Sequence, residues 1–125
     1  MSPEELFFFH EHPAALPLYE RFAERVREMV PEAEIRVGKS QISFRNRHNF
    51  AFVSFLPARR RRDRPETYLT VSFGLDRRVE SPRIDQASEP YPNRWTHHLL
   101  VGTPEELDEE LMGWVRAAAA FSAAK

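Results

Sequence analysis

The chain has 125 residues, of which 42% are hydrophobic and 30% charged, and its formal net charge at pH 7 is -1. This size and composition predict a single globular domain over residues 1–125 and exclude a mainly disordered chain. The sequence has no cysteine, which excludes disulfides, zinc ribbons and thiol nucleophiles. The acidic start and the short apolar run Leu6–Phe9 fit neither a signal peptide nor a membrane segment, so we expect a cytoplasmic protein outside the membrane.

Three segments have helical patterns. Ser2-Pro3-Glu4-Glu5 combines a capping serine, a proline and a glutamate, which predicts a short helix through about Phe9. Apolar residues from Leu18 to Val30 recur at helical spacing until Pro31 ends the helix. The signal of a helix start returns at Thr103-Pro104-Glu105-Glu106 and precedes an apolar stripe that reaches Phe121.

The middle of the chain alternates between apolar and polar residues, which predicts strands. Five strands are predicted, at about residues 35–37, 42–44, 50–56, 68–73 and 95–101. Tight connections at residues 38–40 and 45–49 favour antiparallel neighbours. Residues 75–94 show no strong period, so this segment is either a functional loop or hides a strand near residues 78–84.

This order of elements predicts an α+β fold. The expected architecture is a two-layer sandwich, in which an antiparallel sheet of about five strands carries the N-terminal and C-terminal helices on one face. The other face is then partly open. If the strand phases are right, Gln41, Ser43, Arg45, Tyr68, Thr70 and Ser72 line it.

Charge is unevenly distributed along the chain. Residues 1–34 hold eight acidic and three basic residues, residues 35–99 hold six and thirteen, and residues 100–125 hold five and two. The strands and their loops are therefore basic, and the flanking helices are acidic. Such a separation favours an anionic partner on the sheet side, although solvated helix glutamates and loop arginines would give the same count.

The sequence features that come nearest to known functional motifs do not indicate an enzyme. Gly38-Lys39-Ser40 resembles the end of a P-loop, but Ala33 stands where its first glycine belongs. His10-Glu11-His12 lacks a third metal ligand with a fixed place, so we expect no metal. No catalytic triad or pair of carboxylates is apparent, and no cofactor is expected. An enzyme with His48 or His97 as general base stays open as the less favoured hypothesis.

Donor groups concentrate around one predicted hairpin and the start of the last strand. Arginine, amide and aromatic side chains in such a cluster suit phosphate, carboxylate or a nucleobase. Side chains of His97 and His98 point to opposite sheet faces, so one of the two packs toward the helices. The candidate ligand-binding residues are Lys39, Gln41, Arg45, Arg47, His48, Arg94, Trp95 and His97.

Four segments of the chain form a recognisable set: Lys39-Ser40-Gln41-Ile42-Ser43-Phe44, Asn46-Arg47-His48 with Phe50-Ala51, Ser81-Pro82-Arg83, and Pro90-Tyr91-Pro92-Asn93-Arg94-Trp95-Thr96-His97-His98. In these segments the chain resembles a bacterial family known as domain of unknown function 5655. The resemblance covers nearly the whole chain and implies a stand-alone bacterial cytoplasmic domain, without implying a reaction. The order of helices and strands is also similar to the two-layer sandwiches of the YdhG-like and frataxin-like type.

Two functional hypotheses follow. The first is a non-enzymatic binding module whose basic cleft takes an anionic ligand, either nucleic acid or a small phosphorylated or carboxylated molecule. The second is a protein-interaction module or homodimer that uses sheet aromatics such as Phe50, Phe52 and Phe55.

Overall fold

The computed structural model describes residues 1–125 as three α-helices and six strands. The helices are α1 (Pro3–Phe8), α2 (Leu16–Met29) and α3 (Glu109–Ala124). The strands are β1 (Glu34–Val37), β2 (Gln41–Arg45), β3 (Asn49–Ser54), β4 (Leu69–Leu75), β5 (Gln86–Tyr91) and β6 (Arg94–Val101). Single 3-10 turns lie at Pro13–Ala15, Arg61–Asp63 and Pro104–Glu106.

The helix starts follow from local capping. In α1, Ser2 and Glu5 form the reciprocal capping box that the sequence predicts. The second such motif, at Thr103, caps the start of a 3-10 turn and not the start of an α-helix. The helix α3 begins later than predicted, because Asp108 caps it by accepting a hydrogen bond from the amide of Leu111.

All six strands form one antiparallel sheet in the order β1-β2-β3-β4-β6-β5. The predicted α+β class is confirmed, and five of the strands lie where the alternation predicts them. The sixth strand, β5, lies at Gln86–Tyr91 and not near residues 78–84, the position that the sequence suggests for a hidden strand. It is an exposed edge strand with the sequence QASEPY, held by its pairing with β6, so it lacks the apolar alternation that a half-buried strand shows.

Both long helices pack on the same face of the sheet. Phe44 and Phe73 lie in one cross-strand row with Ala51 between them. Phe22 of α2 contacts Phe44 with ring centroids 5.3 Å apart, and Trp114 of α3 stacks on Phe73 at 5.7 Å. One hydrophobic core therefore joins α2, α3 and this helix-facing side of the sheet.

The opposite side, called the open face below, is partly covered by residues 55–59, a segment we call the strap. Thr70 donates a hydrogen bond to the carbonyl of Leu56 at 2.6 Å, and Gln86 donates one to the carbonyl of Ala58. Arg59 holds Asp85 through two hydrogen bonds of 3.0 and 3.1 Å. The strap is why Thr70 is fully buried although its strand phase places it away from the helices.

The sheet has two distinct ends. The hairpin end carries the β2–β3 connection, residues 46–48, and the β5–β6 turn, residues 92–93. The loop end carries the β1–β2 turn, residues 38–40, and the long β3–β4 connection, residues 55–68. None of the helices combines the length and the hydropathy that a membrane span requires.

Candidate anion site at the hairpin end of the sheet

The eight residues that the sequence singles out fall into three places. Lys39 and Gln41 lie at the loop end of the sheet. Residues at the hairpin end are separated from Lys39 by the five residues of β2, a distance of roughly 15 Å. The structure brings Arg45, Arg47, His48 and Arg94 together. Gln41 and Trp95 line one groove with Arg94, whereas His97 is buried on the helix-facing side of the sheet.

The β2–β3 hairpin is fixed to the last turn of α3. Asn46 donates a hydrogen bond from Nδ2 to the carbonyl of Ala119 at 2.9 Å. The hydroxyl of Ser122 lies 2.6 Å from Asn46 Oδ1 and 2.9 Å from the carbonyl of His48, and it accepts a hydrogen bond from the His48 amide at 3.0 Å. These bonds hold the main chain around Arg47 in place while its side chain stays exposed.

The β5–β6 turn brings a second set of side chains to the same end. Pro92 and Asn93 form a two-residue connection, and Asn93 has a φ of 62°, the positive value that a proline-led type II turn requires at its next position. Tyr91 and Arg94 are therefore register partners. The alternation of β6 places Arg94 on the open face with Thr96 and His98.

Four cations at this end form no ion pair with an acidic side chain: Arg45, Arg47, Arg94 and Lys125. Their proximity shows in the electrostatics of His48. The pKa of His48 is lowered, first by loss of water around the ring and then by the positive charges of those four residues. An anion bound here would relieve this repulsion.

Many other arginines are neutralised within the fold. Arg83 contacts both Asp108 and Glu110 and lies over the ring of Trp114. Arg59 pairs with Asp85, and Arg25 pairs with Glu109 at 2.6 Å. The excess of basic residues in the middle of the chain is thus partly consumed by structural ion pairs, some of them with the acidic start of α3.

A groove of about 240 Å³ lies at this end of the sheet. Arg94, Lys125, Asn49 and Tyr91 line it, and Gly74 of β4 contributes main chain without a side chain. The ring of Tyr91 is 68% exposed. The groove therefore offers positive charge, an amide, an aromatic plane and accessible backbone at one place.

The two predicted site residues that point toward the helices make contacts within the fold, and Trp95 also lines the groove. Trp95 is the register partner of Leu75, and its ring lies 5.7 Å from the guanidinium of Arg78. His97 is 0% exposed and stacks on Phe73. Its Nε2 accepts a hydrogen bond from the amide of Val79 at 2.9 Å, and burial lowers its pKa. His97 is therefore the member of the histidine pair that packs toward the helices.

His98 is the member that reaches the open face. Its Nδ1 lies 2.6 Å from the hydroxyl of Ser72, and Phe52 makes an edge contact with its ring. Ser72 is fully buried, and burial lowers the pKa of His98. Ser72 and His98 therefore satisfy each other's hydrogen-bonding groups within the sheet. The buried Ser72 hydroxyl is not accessible to a substrate.

The loop end has its own cleft, of about 420 Å³, lined in part by Lys39, Gln41, Ser54 and His12. Lys39 is exposed there. The aromatic residues of the interaction hypothesis are less open than the sequence suggests: Phe50 is 2% exposed, and Phe55 packs against Phe8 and His12.

The histidines near the N-terminus have separate contacts. His10 stacks on Phe7 with ring centroids 4.5 Å apart, and its Nδ1 lies 2.8 Å from the Phe7 carbonyl. His12 instead contacts Phe55. No group of three or more His, Asp or Glu residues is placed to hold a metal ion.

Sequence reasoning left Gly74, Thr96 and Lys125 out of the candidate site. A signal for Gly74 was present, because the alternation of β4 continues beyond Phe73 to Leu75 and so makes Gly74 a residue of the strand interior. No sequence pattern indicates that the end of α3 returns to the β2–β3 hairpin.

Comparison with known proteins supports one assignment. No curated protein and no solved structure matches the chain significantly, so the topological resemblance to YdhG-like and frataxin-like sandwiches is not confirmed. A family model described as "Domain of unknown function (DUF5655)" matches residues 5–122. Because this match spans almost the whole chain, the protein belongs to the DUF5655 family.

Proposed function

We propose that the protein is a binding module for a phosphate-bearing or carboxylate-bearing ligand, held at the hairpin end of the sheet. The observation that carries this proposal is the convergence of Arg45, Arg47, Arg94 and Lys125 near His48 without an acidic partner, with Arg94 and Lys125 lining a groove. Guanidinium groups bind phosphate and carboxylate oxygens through paired hydrogen bonds.

The arrangement supports binding rather than catalysis. His48 is exposed at the groove's cationic rim, and its main chain is held by Ser122. Its lowered pKa leaves the ring neutral near pH 7, so it offers one donor and one acceptor to a bound anion. The Ser72–His98 pair lies away from the cations and is closed to substrate.

Isothermal titration calorimetry with pyrophosphate at an ionic strength of about 0.15 M, where charges more than about 8 Å apart are largely screened, tests the proposal. The double substitution Arg47→Gln and Arg94→Gln should weaken binding at least about tenfold, since each charged hydrogen bond contributes roughly 1.5–3 kcal/mol. The matched control is Arg61→Gln with Arg62→Gln, which removes the same charge from exposed residues at the loop end.

The control pair should bind pyrophosphate within about twofold of the wild type, and so should Lys39→Ala, because direct contacts outweigh screened long-range attraction. Equal losses in both double variants would mean that net charge alone attracts the anion. That result, or the absence of pyrophosphate binding to the wild type, would refute the proposed site.

A further inference from the structure

The groove at the hairpin end lies where one strand position leaves the open face without a side chain. That position is Gly74, whose register partner Thr96 lies on the open face of β6. The pairing of β3 with β4 begins only at Ala51, so Gly74 has no register partner on β3. Phe50, which is buried, and Phe52, which is half-buried, line the groove with Gly74. The sheet surface is therefore hollow at Gly74, between β3 and β6.

Folding alone does not require glycine at position 74. Its φ is not positive, and a Cβ built on it would have only one neighbour within 4 Å, the carbonyl oxygen of Trp95 at 3.8 Å. By contrast, a Cβ at Gly102 would lie 2.9 Å from Pro65. A glycine inside a strand costs about 0.5–1 kcal/mol relative to alanine, and it often marks close approach of a ligand to the backbone.

The walls of this hollow suit a flat, polar ring. Asn49 on β3 and Thr96 on β6 flank β4, so two strand spacings, about 10 Å, separate their main chains. Both side chains carry hydrogen-bonding groups that match the edge of a heterocycle. The exposed ring of Tyr91 supplies a stacking surface at the same groove.

The cations lie at the rim of the hollow. Arg94 and Lys125 line the groove, and Arg45 faces the same side of the sheet as its register partner Asn49. A ligand with a ring over Gly74 would therefore bring a charged group toward guanidinium donors. Phosphate esters of nucleosides join these two parts in one molecule.

Resting on the proposed function, we infer that the ligand is a nucleoside phosphate, with its base over Gly74 beside Tyr91 and its phosphate at Arg47 and Arg94. The phosphate shares the guanidinium contacts that bind pyrophosphate. The base adds stacking and hydrogen bonds that pyrophosphate cannot make. A free nucleotide and a single-stranded nucleic acid both carry a base joined to a phosphate through a sugar, so both are sources of this ligand chemistry.

Calorimetric titration with pyrophosphate, adenosine diphosphate and an eight-nucleotide single-stranded DNA of adenine tests this inference. Adenosine diphosphate should bind about tenfold or more tighter than pyrophosphate, as base stacking contributes on that scale. Gly74→Val, which fills the hollow with a residue that favours strands, should abolish this difference, so that adenosine diphosphate binds this variant no tighter than pyrophosphate does. Gly74→Ala should reduce the difference, and Tyr91→Ser should reduce it without filling the hollow.

The outcomes separate the two proposals. The nucleoside phosphate assignment is wrong if pyrophosphate binds and adenosine diphosphate binds no tighter. It is also wrong if the Gly74 and Tyr91 substitutions do not change the higher affinity for adenosine diphosphate. Either result leaves the anion site intact. Failure of pyrophosphate to bind would refute the anion site itself. If the DNA binds tighter than adenosine diphosphate and the Gly74 substitutions weaken DNA binding, the ligand is single-stranded nucleic acid. If adenosine diphosphate binds tighter than the DNA, the ligand is a free nucleotide.

Discussion

The hydroxyl of Ser122 lies within hydrogen-bonding distance of both main-chain polar groups of His48, at 3.0 Å from the amide nitrogen and 2.9 Å from the carbonyl oxygen. Ser122 is buried in the last turn of α3, whereas His48 is exposed in the β2–β3 hairpin. This contact connects the end of the helical layer to the loop that carries Arg47. The candidate site therefore depends on a structural residue 75 positions away on the chain from Arg47.

Replacing Ser122 with alanine should destabilise the protein by about 1–2 kcal/mol, because the His48 amide loses its partner and Asn46 loses a hydrogen bond. Urea denaturation measures this loss. The control is Ser88→Ala on the exposed edge strand, which should change the free energy of unfolding by less than about 0.5 kcal/mol. Equal stability of the two variants would show that the hairpin is not held by Ser122.

Removing the carboxylate of Asp85 should detach the strap from the sheet. Asp85 accepts two hydrogen bonds from Arg59 and one from the amide of Leu100, so Asp85→Ala leaves these donors unpaired in a mostly buried place. We expect a loss of about 2–3 kcal/mol in the free energy of unfolding.

Asp76→Ala is the matched control for Asp85, since it breaks only an exposed ion pair with the adjacent Arg77 and should cost less than about 0.5 kcal/mol. A similarly small cost for Asp85→Ala in urea denaturation would contradict the role of the strap.

Tyr19 and Glu5 link α1 to the core. The hydroxyl of Tyr19, a fully buried residue, donates a hydrogen bond to the Glu5 carboxylate. Tyr19→Phe should reduce the free energy of unfolding by about 1–2 kcal/mol, because a buried carboxylate oxygen loses its donor. Tyr91→Phe, which removes the same hydroxyl from an exposed ring, should leave stability unchanged. Thermal or urea denaturation compares the two variants. Equal effects of Tyr19→Phe and Tyr91→Phe on the free energy of unfolding would show that the Tyr19–Glu5 hydrogen bond does not stabilise the protein.

Stability should fall as the pH drops from about 7.5 to 5. Burial lowers the folded-state pKa of both His97 and His98 below the ordinary value of 6.5. The unfolded chain therefore binds more protons in the window between the lowered pKa and 6.5, so the folded state is fully favoured above this window and loses stability as the pH falls through it. Urea denaturation at both pH values measures the loss.

The variant His98→Gln should lose less stability over the same pH interval, while its control, His10→Gln at an exposed position, should lose as much as the wild type. An identical pH dependence in the wild type and in His98→Gln would show that His98 contributes nothing to the loss.

Much of the fold follows from short-range patterns. The alternation Leu69-Val71-Phe73 and the helical spacing Phe22-Val26 report which side chains are buried, and the structure places both sets in one core. The strand β5 escapes such reasoning because nearly all of its residues are exposed, so no apolar period marks it. Its hairpin pairing with β6 across the Pro92-Asn93 turn defines it as a strand.

The candidate site is less accessible to sequence reasoning. A run of basic residues does not reveal at which end of a strand each one lies, so Lys39 and Arg47 look like neighbours although β2 separates them. Nor does it reveal which acids neutralise which bases: Arg83 finds Asp108 25 residues away. Free and paired arginines therefore become distinguishable only in three dimensions.

The most direct test of the anion site is a two-dimensional 1H–15N spectrum recorded during titration with pyrophosphate. The four glycines give reporters in separate places: Gly74 lines the groove, Gly38 lies in the β1–β2 turn beside Lys39, Gly102 follows β6, and Gly113 lies in α3. We predict that the amide signals of Gly74, Arg47 and Arg94 shift together and saturably, while those of Gly38, Gly102 and Gly113 stay in place. Shifts centred on Gly38, or none at all, would contradict an anion site at the hairpin end.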